Sequence, residues 1–258
     1  MGKLDGKVAL ITGASSGIGK GAAVRLAQEG AKIGMLGHDR KHLEEAAKDV
    51  RGECVLLEAD VASPDAMKKA ADQLAREFGT IDIVFANAGI NGVWAPLDEL
   101  EPDEWDRTLN TNLKGTYLTV KYALPYLQKQ GGAIVITSSV NGTRIFSNTG
   151  ATAYSCSKAG QVAFCKMVAL EQAKHKIRVN AICPGWIETN IEKSTVERDI
   201  NKEKEPVEYP HGEVPLTRGK PGKAEQVAEL VLFLVSDASS HITGTEVFID
   251  GAESLLVG

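Results

Sequence analysis

An apolar run that breaks into closely spaced glycines and restarts as a helix constrains this chain more than any other feature. Lys7-Val8-Ala9-Leu10-Ile11 leads into Thr12-Gly13-Ala14-Ser15-Ser16-Gly17-Ile18-Gly19, and Lys20 to Glu29 then carries Ala22, Ala23, Leu26 and Ala27 at helical spacing. A short apolar run bounded this way reads as a strand buried on both faces. Strand, glycine turn and helix make a phosphate cradle. Glycines let the backbone approach a ligand, and the free N–H groups at the helix start face its negative charge.

The same residues fit two other patterns. Gly13-Ala14-Ser15-Ser16-Gly17 matches the G-x-S-x-G elbow of serine hydrolases, but no earlier strand supplies an oxyanion loop and no His has a triad context. A P-loop needs Gly at 14 and Ser or Thr at 21, where the chain has Ala14 and Gly21. The spacing G-x-x-x-G-x-G is a variant of the dinucleotide fingerprint, so a dinucleotide is the better ligand.

Beyond the cradle, short apolar runs alternate with amphipathic stretches. Strands are expected at Val8–Thr12, Lys32–Leu36, Cys54–Glu58, Ile83–Ala86, Ala133–Thr137, Arg178–Ile182 and Glu246–Ile249, with helices near 17–29, 39–50, 65–78, 103–129, 152–174 and 224–235. This predicts an α/β fold: one Rossmann-type, doubly wound parallel sheet of about seven strands with helices on both faces. The 258 residues fit one domain. Only Ile187 to Arg218 breaks the rhythm. It is charged and carries Pro206, Pro210 and Pro215. A loop of that length directly after a strand is expected to act as a lid at about 187–218.

Composition excludes several classes. A net charge of −5 with scattered basic residues argues against a general nucleic-acid or membrane surface. Met1 to Gly6 is polar and no stretch approaches a membrane span, so a cytoplasmic protein is expected. Cys54, Cys156, Cys165 and Cys183 form no C-x-x-C pair and read as free thiols, and no cluster of metal-ligand type is present.

A second motif lies far downstream. In Tyr154-Ser155-Cys156-Ser157-Lys158 a phenol and an amine stand at i and i+4, one turn apart on one helix face. An ammonium beside a phenol favours the phenolate and draws its pKa toward the working range, as an acid/base group requires. Ser155-x-x-Lys158 also fits a penicillin-binding signature, but its companion motifs are absent.

With both motifs in place, nearly the whole chain resembles the short-chain dehydrogenase/reductase family, 3-oxoacyl-carrier-protein reductases among them. Asp60-Val61, Asn87-Ala88-Gly89, Asn112-Leu113-Lys114-Gly115, Ser138-Ser139, Tyr154 with Lys158, Pro184-Gly185, Thr189 and Asp250-Gly251 follow in the family's order. The resemblance implies hydride transfer between a nicotinamide and a carbonyl or alcohol carbon. It makes Tyr154 the acid/base, Ser139 a hydrogen bond to the reacting oxygen, Lys158 a tuner of Tyr154 and a holder of the ribose, and Asn112 the support of a proton-carrying water chain. Gly13, Ser15, Ser16, Gly17, Ile18, Gly19, His38, Asp60, Val61, Asn87, Ala88, Gly89, Tyr154, Lys158, Pro184, Gly185, Ile187 and Thr189 would hold the cofactor. Two departures stand out: Ala86 where many members have Asn, and a long interval from Ser139 to Tyr154 that would border the substrate.

Finer expectations follow from local residues. The second strand ends Met35-Leu36-Gly37-His38-Asp39-Arg40. With Gly37 where an NAD site carries an acid, and His38 and Arg40 nearby, NADP is expected over NAD, unless Asp39 swings in. Trp94, Phe146 and Trp186, with Ile145, suggest apolar substrate walls, and Asn141 and Arg144 polar contacts. A small or medium carbonyl or alcohol with an apolar portion is therefore expected. It is ranked above a 3-oxoacyl-carrier-protein thioester: Lys129 and Lys174 to Lys176 are basic residues expected beside the entrance for an acidic carrier, but Gln130-Gly131-Gly132 precedes the fifth strand and the lid is rich in Glu. A non-catalytic dinucleotide-binding regulator is the alternative of another class. Leu113, Tyr117, Val120, Leu124, Val162, Phe164, Val168 and Leu170 lie on more than one face of two long helices, which predicts a homo-oligomer, with a tetramer first.

Overall fold

Seven strands build the central sheet: β1 (Val8–Thr12), β2 (Lys32–Gly37), β3 (Cys54–Glu58), β4 (Ile83–Ala86), β6 (Gly132–Thr137), β7 (Ile177–Pro184) and β9 (Glu246–Ile249). The computed structural model describes residues 2–204 and 214–256. The order is β3-β2-β1-β4-β6-β7-β9, and every neighbouring pair is parallel. Parallel pairing follows from the helical crossovers, and it sends the C-terminal ends of the strands to one edge. The order reverses between β1 and β4, which opens a crevice there.

Successive strand residues point to opposite faces, so the sheet separates two cores. Leu10, Val84, Ile134 and Ile136 pack with α3 (Pro64–Phe78), α5 (Gly115–Leu127) and α6 (Thr152–Gln172). Ile11, Ile33, Phe85 and Val135 pack with α1 (Gly17–Gln28), α2 (Arg40–Ala47) and α7 (Ala224–Val235). No described helix is long and apolar enough to cross a membrane.

The expected helix over 103–129 is not continuous. It divides into α4 (Pro102–Leu109), a π-turn at Asn110–Lys114, and α5. The cause is a set of side-chain bonds that hold Asn112 inward, described below. A second correction lies in the lid. Its strand β8 (Thr195–Glu197) pairs in parallel with β5 (Gly92–Trp94), a strand the sequence pattern did not reveal. The Arg198 guanidinium then donates to both Glu104 carboxylate oxygens on α4, at 2.9 and 2.8 Å, and to the Glu99 carbonyl. Pro206 and Pro210 of the expected lid lie outside the described residues.

Of the apolar residues expected on more than one face of these helices, Val120, Val162 and Val168 are core. Tyr117, Met167 and Leu170 are exposed on α5 and α6, where Tyr117 meets Phe164 edge-on at 6.5 Å.

Candidate functional site

At the C-terminal edge of the sheet the strand ends open into a cavity of about 960 Å³ that runs from the glycine turn to the lid. The turn is shaped for close approach. Gly13 has φ +65°, and a Cβ on Gly19 would stand 2.2 Å from the Gly13 carbonyl oxygen. Gly19, expected among the cofactor-holding residues, does not line the cavity itself; it is the packing point that lets the turn fold onto α1. Ser16 takes the N-cap position of α1, but its hydroxyl makes no capping bond. The N-terminal N–H groups of a twelve-residue helix thus face the cavity with room for an anion.

The next strands add to this cradle. Thr12 Oγ1 accepts from the Asn87 and Ala88 N–H groups at 3.0 and 3.1 Å, and Asn87 Oδ1 accepts from Thr137 Oγ1 at 3.0 Å. These bonds tie β1, β4 and β6 together at the crevice. Asp60 and Val61 line the cavity just past β3, and Gly89 lines it beyond β4. Pro184, Gly185, Ile187 and Thr189 close it from β7 and the start of the lid. A glycine cradle at an open helix N-terminus, with a long crevice across the switch point, fits a dinucleotide. Gly37 and His38 are in the wall, whereas Asp39 and Arg40 are not. The Asp39 carboxylate caps α2 by accepting from the His42 N–H at 3.0 Å, and that bond holds it below its usual range. Arg40 is held by Glu44 and the Leu56 carbonyl.

Tyr154 and Lys158 reach the cavity from one face of α6, both buried. The Lys158 ammonium donates to the Thr137 carbonyl at 2.9 Å and lies 5.4 Å from the Tyr154 ring centre. Desolvation draws its pKa from 10.5 to about 8. The Tyr154 phenol is pushed up by the same burial, against a lowering hydrogen bond with Ser139. The lowering expected from Lys158 is not seen here: burial raises the phenol, and the hydrogen bond with Ser139 is what opposes it.

Asn112 does not touch the cavity. It stands fully buried behind Lys158, its side chain accepting from the Ile90 N–H at 2.8 Å and donating to the Ile90 carbonyl at 2.9 Å and to Ser157 Oγ at 3.0 Å. Its backbone carbonyl accepts from Thr116 Oγ1 and from the buried amide of Gln161. Sequence reasoning missed Gln161 and Ser157. Ser157 lay in plain view inside the Tyr154–Lys158 motif, and Gln161 is a polar residue on an otherwise inward helix face.

On the substrate side the expectations divide. Trp94, Asn141 and Trp186 line the cavity, but Phe146 is 73% exposed and outside it. Ile145 is in the core, and Arg144 turns away to stack on Phe248 and bond Ser254. Asn148, which the sequence did not single out, lines the cavity and donates to Asn141 Oδ1 at 2.8 Å. Lys129, Lys174 and Lys176 precede β6 and β7, at the opposite edge of the sheet from the entrance. Among the cysteines, Cys165 and Cys183 are buried, with thiols pushed up to about 12 and about 11 by desolvation, while Cys156 is exposed. No group of metal-ligating side chains occurs among the described residues.

A family profile described as "Enoyl-(Acyl carrier protein) reductase" matches residues 13–252. The 3-oxoacyl-[acyl-carrier-protein] reductase of Thermotoga maritima is 38% identical over 96% of this chain and 98% of its own length. The chain belongs to the short-chain dehydrogenase/reductase family. Among solved structures, a 3-ketoacyl-ACP reductase from Sinorhizobium meliloti is 52% identical with TM-score 0.93, covering 96% of this chain and 99% of that one. A 3-ketoacyl-(acyl-carrier-protein) reductase from Brucella melitensis, complexed with NADH, is 30% identical with TM-score 0.86, covering 97% of this chain and 99% of that one. This short-chain dehydrogenase/reductase is thus a nicotinamide-dependent oxidoreductase interconverting alcohol and carbonyl groups.

Proposed function

We propose that this reductase acts through Tyr154, with Ser139, Lys158 and Asn112, on small or medium free carbonyl or alcohol substrates, and that it prefers NADP. The observation that carries the reading is the buried Tyr154–Lys158 face on the cavity wall, with Ser139 bonded to the phenol. The bound nicotinamide supplies or accepts the hydride. In reduction the substrate oxygen gains negative charge, and Tyr154 donates a proton to it while Ser139 donates a hydrogen bond. In oxidation Tyr154 takes that proton back. Lys158, held by Thr137, keeps a positive charge behind the phenol and would hold the nicotinamide ribose. Asn112 fixes the Ile90 segment and, through Ser157, the turn of α6 that carries Tyr154, since Ser157 Oγ donates to the Tyr154 carbonyl at 2.6 Å.

The NADP preference rests on Gly37 and His38 in the wall and on Asp39 being committed to its cap. Free substrates rank above carrier-bound ones because Lys129, Lys174 and Lys176 are remote from the entrance. Exposed Tyr117, Met167 and Leu170 support a homotetramer formed through α5 and α6. Residues 187–218 serve as the lid of a single domain, and four free thiols agree with a cytoplasmic protein.

Tyr154→Phe tests the mechanism. It keeps the ring and loses the proton, so kcat should fall at least ~10²-fold while dinucleotide binding persists. Near-normal turnover would refute the assignment. A comparison of kcat/KM with NADP and NAD tests the cofactor, and a clear NAD preference would overturn that part. A 3-oxoacyl carrier-protein thioester far superior to free ketones, with an advantage that collapses in salt, would reverse the substrate ranking.

A further inference from the structure

Of the residues expected to make the substrate side apolar, Trp94 and Trp186 line the cavity but Phe146 and Ile145 do not. Phe146 points to solvent, Ile145 is in the core and Arg144 packs on Phe248. What stands next to the reacting position is a file of polar groups leading outward from Ser139. Ser139 Oγ accepts from the Asn141 N–H at 3.1 Å, and the Asn141 side chain accepts from the Asn148 amide at 2.8 Å. Asn148 is held by a turn that continues to Gly150, whose carbonyl accepts from the Ala95 N–H beside Trp94.

The amide pair has spare capacity. Each amide offers two donors and an acceptor, and the pair joins one donor to one acceptor. Whichever way each amide is turned, one NH₂ and one carbonyl oxygen are left uncommitted among the described residues. Asn141 is only 9% exposed although Asn148 is open to solvent, so an apolar substrate packed on the pair would seal the spare group of Asn141 off from water without replacing its partner. The lid adds Asn190 and Glu192 to the lining, which also includes Trp94 and Trp186.

A row of hydrogen-bonding groups leading away from Ser139, in a lining shared with Trp94 and Trp186, matches a substrate that bears oxygen on successive carbons. We propose that the substrate is a polyhydroxylated carbonyl compound or its alcohol, an open-chain or cyclic sugar or sugar alcohol. Its hydroxyl next to the reacting carbon bonds the Asn141–Asn148 pair. This inference rests on the oxidoreductase reading above and deepens it. The lost hydride and proton follow the route given there, and the neighbouring hydroxyls stay unreacted.

The experiment is a panel of four- to six-carbon sugars and sugar alcohols, their deoxy analogues, and butan-2-ol, cyclohexanol and the matching ketones. The intact protein is assayed with NADP and NAD by nicotinamide absorbance. The best polyhydroxylated compound should exceed the best mono-oxygenated one at least tenfold in kcat/KM. Removing the hydroxyl beside the reacting carbon should cost roughly 3- to 30-fold, as for a hydrogen bond lost with its partner stranded. Asn148→Leu should lower kcat/KM for the polyhydroxylated compound about tenfold more than for the mono-alcohol, and Asn148→Asp, which retains an acceptor, should lower it less. Circular dichroism and a dinucleotide titration confirm that each variant is folded. Equal or better turnover of the mono-oxygenated compounds, or an equal loss on both classes in Asn148→Leu, overturns the proposal while leaving the oxidoreductase reading intact. Absence of turnover on every compound with both cofactors removes that reading and this inference with it.

Discussion

Replacing Lys158 by Met should destroy activity and stabilise the dinucleotide-free protein. The ammonium is buried, and its pKa falls from 10.5 to about 8 on folding. At 1.36 kcal/mol per pH unit, holding the charged form inside costs roughly 3 kcal/mol below pH 8. Met fills a similar volume without that penalty but gives up the hydrogen bond to the Thr137 carbonyl, worth about 1 kcal/mol. The variant should gain about 2 kcal/mol at pH 7, or roughly 4–8 °C in Tm for a chain of this size. The sign with pH is fixed. Between about pH 8 and 10.5 the unfolded chain binds more protons at this site than the native one, so wild-type stability rises with pH across that window. The variant lacks that rise, and the ranking should reverse above about pH 10. Urea unfolding of both proteins from pH 7 to 11, without cofactor, measures this. A variant that is less stable at pH 7 by an amount constant with pH would show that Lys158 is not a desolvated ammonium.

Other expectations concern single contacts. Gly19→Ala puts a Cβ against the Gly13 carbonyl and should weaken dinucleotide binding more than ~10-fold by calorimetry, since the turn must open. Asn112→Leu leaves the Ile90 N–H, the Ile90 carbonyl and Ser157 Oγ without their buried partner and should cost at least roughly 3 kcal/mol in urea unfolding. A change under 1 kcal/mol would mean that these groups find water. Arg198→Met removes the bidentate bond to Glu104; the half-exposed pair contributes about 1 kcal/mol, so limited proteolysis within 187–204 should quicken several-fold. Unchanged cleavage would place the lid's hold in the β5–β8 pairing alone.

Much of this was legible because periodicity and punctuation agree. Each β-strand of the main sheet is a short apolar run between polar or glycine breaks, and the bounds of β1, β3, β4 and β9 follow the sequence pattern to the residue. The cradle and the Tyr154–Lys158 face depend on local spacing, which a sequence displays directly. What stayed hidden depends on contacts across the chain. Strand β5 is three residues long and exists because β8, about a hundred residues later, lies beside it. The π-turn needs Asn112 to find Ile90, Ser157 and Gln161 at once. Phe146 reads as a pocket wall by composition, yet a turn that bonds Asn148 to Asn141 leaves it outside.

The π-turn also sets the rotational phase between the two halves of what would otherwise be one helix. A π-turn holds one residue more than an α-turn, and each α-helical residue advances about 100°. Upstream of it, α4 presents Glu104 to the lid; downstream, α5 packs Gly115 against Val61. Rewinding Asn110–Lys114 as a regular helix with all its residues kept would rotate α4 by about 100° relative to α5. Asn112 would leave its pocket and Glu104 would swing off Arg198 in the same movement. Lid attachment and active-site support are therefore geared to one shaft, and a change in the winding of this turn cannot alter one without the other.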